Sequence, residues 1–132
     1  LGDTLRRQHR NDEAVVEYEK AIQMQQLLIQ SGERPETHVP WLLALQIDYA
    51  KSLRCAGELQ QAKATLEEAS TKLETLLSEV GEIPRDGFRQ REYRDNVRRL
   101  QSAYREHVNV LQALGDADDA QAVSLKLEAL EE

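Results

Sequence analysis

The stretch from Tyr49 to Ala69, YAKSLRCAGELQQAKATLEEA, limits the possible folds of this chain more than any other. Tyr49, Leu53 and Ala56 recur at helical spacing on one face of a first segment, and Ala62, Leu66, Ala69 and Leu73 do so on a second. Gly57 lies between them, where a left-handed helix stop costs a glycine least. Only a few residues separate the two patterns, so the segments are expected to fold back as an antiparallel hairpin. Small residues stand where the two helices must approach.

The rest of the chain follows the same plan. Aromatic residues make up 5% of the sequence and glycine and proline are few, so the composition is that of helix formers and predicts an all-α protein. Leu1 to about Gln8 reads as the tail of a helix. Asn11 and Asp12 are good N-caps for a second helix, whose face would be Ala14, Tyr18, Ala21, Ile22, Leu28 and Ile29, ending at Gly32. Pro35, Thr37 and Pro40 form a polar connector, with Pro40 suited to a first turn, so a third helix is expected from residue 38 to 40 onward. Its stripe is Trp41, Leu45, Tyr49, Leu53 and Ala56. A return helix runs from Glu58 to about Val80. The segment SEVGEIPRDGF is the clearest loop. Tyr93, Val97, Leu100, Tyr104, Val108 and Leu111 then mark a long helix from about Phe88, ended by Gly115. Asp116 or Asp118 caps a last helix with Ala120, Val123, Leu127 and Leu130 inside. Six helical segments result, in hairpins at about 1–31, 38–80 and 88–131.

Around each expected turn, small and large apolar positions recur. One copy reads Tyr49, Ala50, Leu53, Gly57, Ala62, Leu66, Ala69. Another reads Leu1, Gly2, Leu5, His9, Ala14, Tyr18, Ala21, without the turn glycine, and a third, degenerate in its second helix, reads Tyr104, His107, Val108, Leu111, Gly115, Ala120, Ser124, Leu127. This pattern resembles the tetratricopeptide repeat, over nearly the whole chain. The resemblance implies helix hairpins stacked as a short right-handed α-solenoid of about three pairs. The departure is in the period: Ala14, Ala62 and Ala120 lie further apart than that family's usual repeat of about 34 residues, which looks like an extended-helix variant. A plain helical bundle or a long coiled hairpin is the competing architecture.

The resemblance also implies a use. Tetratricopeptide domains bind peptides or helices in a groove lined by the first helix of each pair, and the matching positions here include Asp3, Arg6 and Arg7, then Ala44, Ile47, Asp48, Lys51 and Arg54, then Ser102, Arg105, Glu106, Asn109 and Gln112. Members of the family that hold a chaperone's terminal carboxylate do so with Lys and Asn. Asp3, Asp48, Ser102 and Glu106 stand at those positions, and three acids there would repel it.

Charge supplies an independent signal. The net charge is -7, which disfavours general nucleic-acid binding, yet Arg85 to His107 carries seven arginines against four acids. Arg91, Arg94, Arg98 and Arg105 can share one helix face, offering forked donors to a carboxylate-bearing partner. The alternative is a solvated face whose arginines pair with nearby acids, such as Arg91 with Asp95.

Chemistry is not indicated. The three histidines, 9, 38 and 107, are dispersed, no metal-ligand spacing occurs, and the phosphate-cradling and nucleophile-elbow motifs are absent. No cofactor and no catalysis are expected. The single cysteine, Cys55, reads as a small helix-contact residue and fits a reducing compartment, so a cytoplasmic location is expected. No apolar run approaches the roughly 18 residues of a membrane span, and the first residues lack a signal-peptide core, so no membrane partner is expected. With no Met at its start and a helical pattern at its end, the sequence reads as an excerpt. The expected function is a non-catalytic protein-protein interaction module within a larger protein, with an acidic protein or peptide, or neighbouring repeats, as partner. The candidate binding residues are Arg6, Ile47, Asp48, Lys51, Arg54, Arg91, Arg94, Arg98, Arg105 and Asn109. A regulatory segment controlling an attached domain and a purely structural spacer are the rivals.

Overall fold

A computed structural model describes residues 2–32, 35–80 and 87–131, with side chains described for 10–32, 39–80, 87 and 89–130. Among the described residues the chain is wholly helical apart from its turns, in five helices: α1 (Gly2–Gln30), α2 (Pro35–Cys55), α3 (Leu59–Val80), α4 (Gly87–Leu114) and α5 (Ala117–Glu131). The chain divides into two units, Leu1–Thr65 and Leu66–Glu132. None of the helices is long and apolar enough to cross a membrane among the described residues.

In the first unit α1 and α2 pack together. Two polar contacts fix their sense: the Tyr49 phenol donates to Glu19 Oε1 at 2.9 Å, and Asn11 Nδ2 donates to the Cys55 carbonyl at 3.5 Å. Later residues of α2 meet earlier residues of α1, so the pair is antiparallel. Leu42, Leu43, Gln46, Ile47, Ala50 and Leu53 of α2 are buried, as are Ile22 of α1 and Ala62 at the start of α3. In the second unit the remainder of α3 buries Leu66, Ala69 and Leu73. The α4 helix buries Leu100, Ala103, Tyr104, Val110 and Leu111, and α5 buries Ala120 and Val123. The Tyr104 phenol donates to Glu74 Oε1 at 2.5 Å, and Gln101 Nε2 donates to the Leu130 carbonyl at 3.4 Å, so α4 meets both α3 and α5.

The two tight turns share one design. Gly57 has φ +87° and Gly115 φ +81°. The Gly57 N–H donates to the Arg54 carbonyl at 3.1 Å and the Glu58 N–H to the Leu53 carbonyl at 2.8 Å. The same pair of bonds recurs from Gly115 to Gln112 at 3.1 Å and from Asp116 to Leu111 at 2.9 Å. This is the left-handed glycine stop that closes orphan carbonyls at a helix C-terminus. The residue after each glycine starts the next helix, since the Glu58 carbonyl accepts from Ala62 and the Asp116 carbonyl from Ala120. Of the two caps expected for α5, Asp116 is therefore the one used.

Several expectations are corrected. The sequence predicts a break between Gln8 and Asp12, giving six segments and a hairpin over 1–31; α1 instead runs unbroken for 29 residues. His9 stands where the other turns have glycine, and without a residue suited to positive φ nothing stops the helix. Asn11 does not cap its own helix. Its amide reaches across to the last carbonyl of α2, an orphan acceptor at that helix end. The α2 helix also begins earlier than expected, at Pro35, placing Pro40 inside it.

The apolar stripe of α2 is rotated from its expected position. Trp41 is 62% exposed and Leu45 and Tyr49 are half-buried, while the buried set centres on Leu43, Gln46 and Ala50. The run WLLALQI supports either stripe, and the polar Gln46 made the buried one harder to see. Cys55, read as a contact residue, is exposed. The expected loop between α3 and α4 falls largely on residues 81–86, outside the described residues.

Candidate functional site

The site is built on α4, whose 28 residues present one side to the core and the other to solvent. At about 100° per residue, the buried Leu100, Ala103, Tyr104, His107 and Leu111 fall within one arc. Arg91, Arg94, Arg98, Ser102, Arg105, Asn109 and Gln112 are all exposed and fall on the opposite side. Arg91, Arg98 and Arg105 follow one another at intervals of seven residues. A straight helix drifts about 20° per heptad, so the three stay within an arc of about 40°. Arg94 lies to one side of them and Asn109, five full turns from Arg91, on the same line. From Arg91 to Arg105 this ridge spans about 21 Å at 1.5 Å per residue.

The ridge differs on its two flanks. Glu92, Asp95 and Glu106, with the half-buried Arg99 among them, lie on one side of it, while Gln90, Val97, Gln101 and Val108 lie on the other; both valines are half-buried. Among the described residues no ion pair engages Arg91, Arg94 or Arg98. The Arg91 to Asp95 pair that would make this merely a self-neutralised surface does not form. Arg99, pointing away from the ridge, donates to Asn96 Oδ1 at 3.0 Å.

What holds this helix in place is polar as well as apolar. Tyr104 lies on the buried side of α4, and its phenol is anchored on Glu74 of α3; Lys126 of α5 approaches the same carboxylate at 3.9 Å. Burial, then the hydrogen bond to Glu74 and its negative charge, push the Tyr104 phenol well above its usual range. His107 is buried on the same side, its Nε2 4.0 Å from Glu67 Oε1. The first unit repeats the tyrosine device. Burial, the bond to Glu19 and the Glu19 charge push Tyr49 up to about 12. In both cases the acceptor precedes the tyrosine by 30 residues.

The other candidate residues are dispersed. Arg6 lies in α1 with its side chain outside the described set. On α2, Asp48 and Lys51 are exposed and Arg54 is half-buried, whereas Ile47, at 8% exposure, is part of the core and not open to a partner. The sequence does not single out the exposed apolar residues Val16, Met24 and Leu27 on α1, at 48%, 62% and 63%, besides Trp41. The first three lie on the side of α1 turned away from Ile22. The sequence signal for Met24 and Leu27 is MQQLLI, which is apolar on more than one side of a helix. Among the described residues no group of His, Cys, Asp and Glu side chains comes together as a metal site. No family model matches the chain, and neither a curated protein nor a solved structure does.

Proposed function

We propose that the chain is a non-catalytic protein-interaction module, resembling tetratricopeptide repeats, that recognises an acidic protein partner through the arginine ridge of α4. The observation that carries this reading is the placement of Arg91, Arg94, Arg98 and Arg105 on one exposed side of one helix, in a chain of net charge -7. Arginines held on a packed helix lose less freedom on binding than the same residues on a loop, and their forks suit carboxylates. The family resemblance rests on the sequence pattern alone. The test is capture from lysate by the parent chain and by a variant with Arg94, Arg98 and Arg105 all changed to Glu, both shown to be equally helical. The reading expects proteins retained by the parent and lost by the variant. Identical retained sets would rule out this face.

A second reading is favoured by Val16, Met24 and Leu27. Their exposed apolar surface on α1 suits a stacked neighbouring helix, as in a spacer built from consecutive repeats. Changing all three to polar residues then increases solubility and abolishes any concentration-dependent association; unchanged behaviour would leave them as ordinary surface residues.

A further inference from the structure

We propose that the occupant of the α4 ridge is an α-helix bearing carboxylates at seven-residue intervals, docked lengthwise against Arg91, Arg98 and Arg105. This deepens the interaction reading above and rests on it. Spacing selects this occupant. Three exposed arginines, seven residues apart, leave the helix at a repeat of about 10.5 Å along its axis. A partner helix with Asp or Glu at the same interval repeats its carboxylates at the same distance, the arrangement by which flanking charges set pairing in coiled coils. A β-strand matches it poorly. Residues on one side of a strand recur at about 6.6 or 13 Å, and those three apart point to opposite sides.

Duplex nucleic acid fits worse, since it carries one charge per about 1.7 Å of its axis and would meet Glu92, Asp95 and Glu106 beside the ridge. The unequal flanks place the partner. Its backbone is disfavoured over the acidic flank and favoured over the side bearing Val97 and Val108, so the acidic positions should be accompanied by an apolar residue facing those valines. A second copy of the chain is a poor occupant. Asp12 and Glu19 on α1, and Glu67 and Glu74 on α3, lie seven residues apart, but Leu5 and Gln26 flank the first pair at that interval and Gln60 and Gly81 the second, so neither helix offers a third carboxylate.

The probe is a synthetic, end-blocked, alanine-rich helical peptide of 21 residues with Glu at three positions seven apart and a Leu beside each. A second peptide of identical composition has its three Glu residues spaced to spread around the helix. Both are titrated into the full 132-residue chain, isotopically labelled, at low salt, and followed by amide shifts in NMR spectra. The proposal expects the first peptide to shift amides between Arg91 and Asn109 and to bind at least tenfold tighter than the second. Arg98→Glu removes that advantage, and changing the central Glu of the peptide to Lys restores binding to the Arg98→Glu chain.

Equal affinity for the two peptides, shifts confined to other helices, or no binding by either overturns the proposal. So does tighter binding of a 20-base-pair DNA duplex, or self-association that Arg98→Glu abolishes. If lysate proteins still depend on the arginines while the two peptides bind alike, the interaction reading stands and only the helical occupant fails.

Discussion

Replacing Gly57 with Ala isolates the backbone requirement of the turns, because a methyl group built at that position meets nothing within 4 Å. The same is true of Gly115, so neither substitution introduces a clash, and each asks only what a left-handed conformation costs. For an ordinary residue that cost is about 1–2 kcal/mol. Alanine returns about 0.4–1 kcal/mol by restricting the unfolded chain. The net loss is therefore up to about 1.6 kcal/mol per site, about 0.8 at the middle of the two ranges, which for a chain of this length lowers Tm by up to about 6 °C and by about 3 °C at the middle. Gly87 is the control. It opens α4 without positive φ, its added methyl group is equally unopposed, and Gly87→Ala should be neutral or stabilising by up to about 1 kcal/mol. Thermal unfolding followed by far-UV circular dichroism reads all three, and Gly57→Asn should fall between parent and alanine. If Gly57→Ala and Gly87→Ala shift Tm alike, the left-handed stop is not what ends α2, and the turn argument fails.

Ala62 is fully buried, so Ala62→Leu should lower the urea midpoint by an amount equivalent to about 1–3 kcal/mol; an unchanged midpoint would mean that Ala62 does not sit in a close helix contact. Ser70 is buried with its hydroxyl unpartnered among the described residues, so Ser70→Ala should stabilise by about 1 kcal/mol, and destabilisation would reveal a partner for that hydroxyl. Tyr104→Phe removes the donor to Glu74 and should cost about 1–2 kcal/mol in urea unfolding, while no loss would show that bond to be dispensable. Because the phenols of Tyr49 and Tyr104 hold their protons more tightly when folded, their contribution is intact below about pH 10 and is lost as pH rises toward and beyond 12. The urea midpoint of the parent should fall over that range more steeply than that of the Tyr49→Phe, Tyr104→Phe double variant, and parallel curves would contradict this.

The parts of the fold legible in the sequence are those set by local chemistry. Gly57 and Gly115 mark turns because few residues other than glycine adopt their φ cheaply, and Ala62, Leu66, Ala69 and Leu73 identify the buried side of α3 because that helix has one apolar stripe. The misreadings arise where distant residues decide. Asn11 is a good cap by type, but its amide is used on a carbonyl 44 residues away, and no glycine follows His9 to end the helix. On α2, apolar residues on adjacent stripes leave the buried side ambiguous, so the sequence places Trp41 inside and Ile47 outside, the reverse of what the structure shows. The pairing of Tyr49 with Glu19 and of Tyr104 with Glu74 has no local signature. The arginine ridge was legible from spacing alone, because exposure on a helix follows directly from where its apolar stripe lies. That Arg91, Arg94 and Arg98 are not consumed by neighbouring acids required the structure.

The central claim is that the position of these arginines, and not the overall charge of the chain, makes the interaction. It is tested by moving them. A variant combining Arg94→Thr, Arg98→Thr and Arg105→Ser with Thr71→Arg, Thr75→Arg and Ser78→Arg has the same composition and net charge, with the arginines transferred to exposed positions on α3. Titration calorimetry against the partner captured by the parent chain gives the comparison. The account predicts at least a tenfold loss of affinity in the relocated variant, and equal affinity would contradict it.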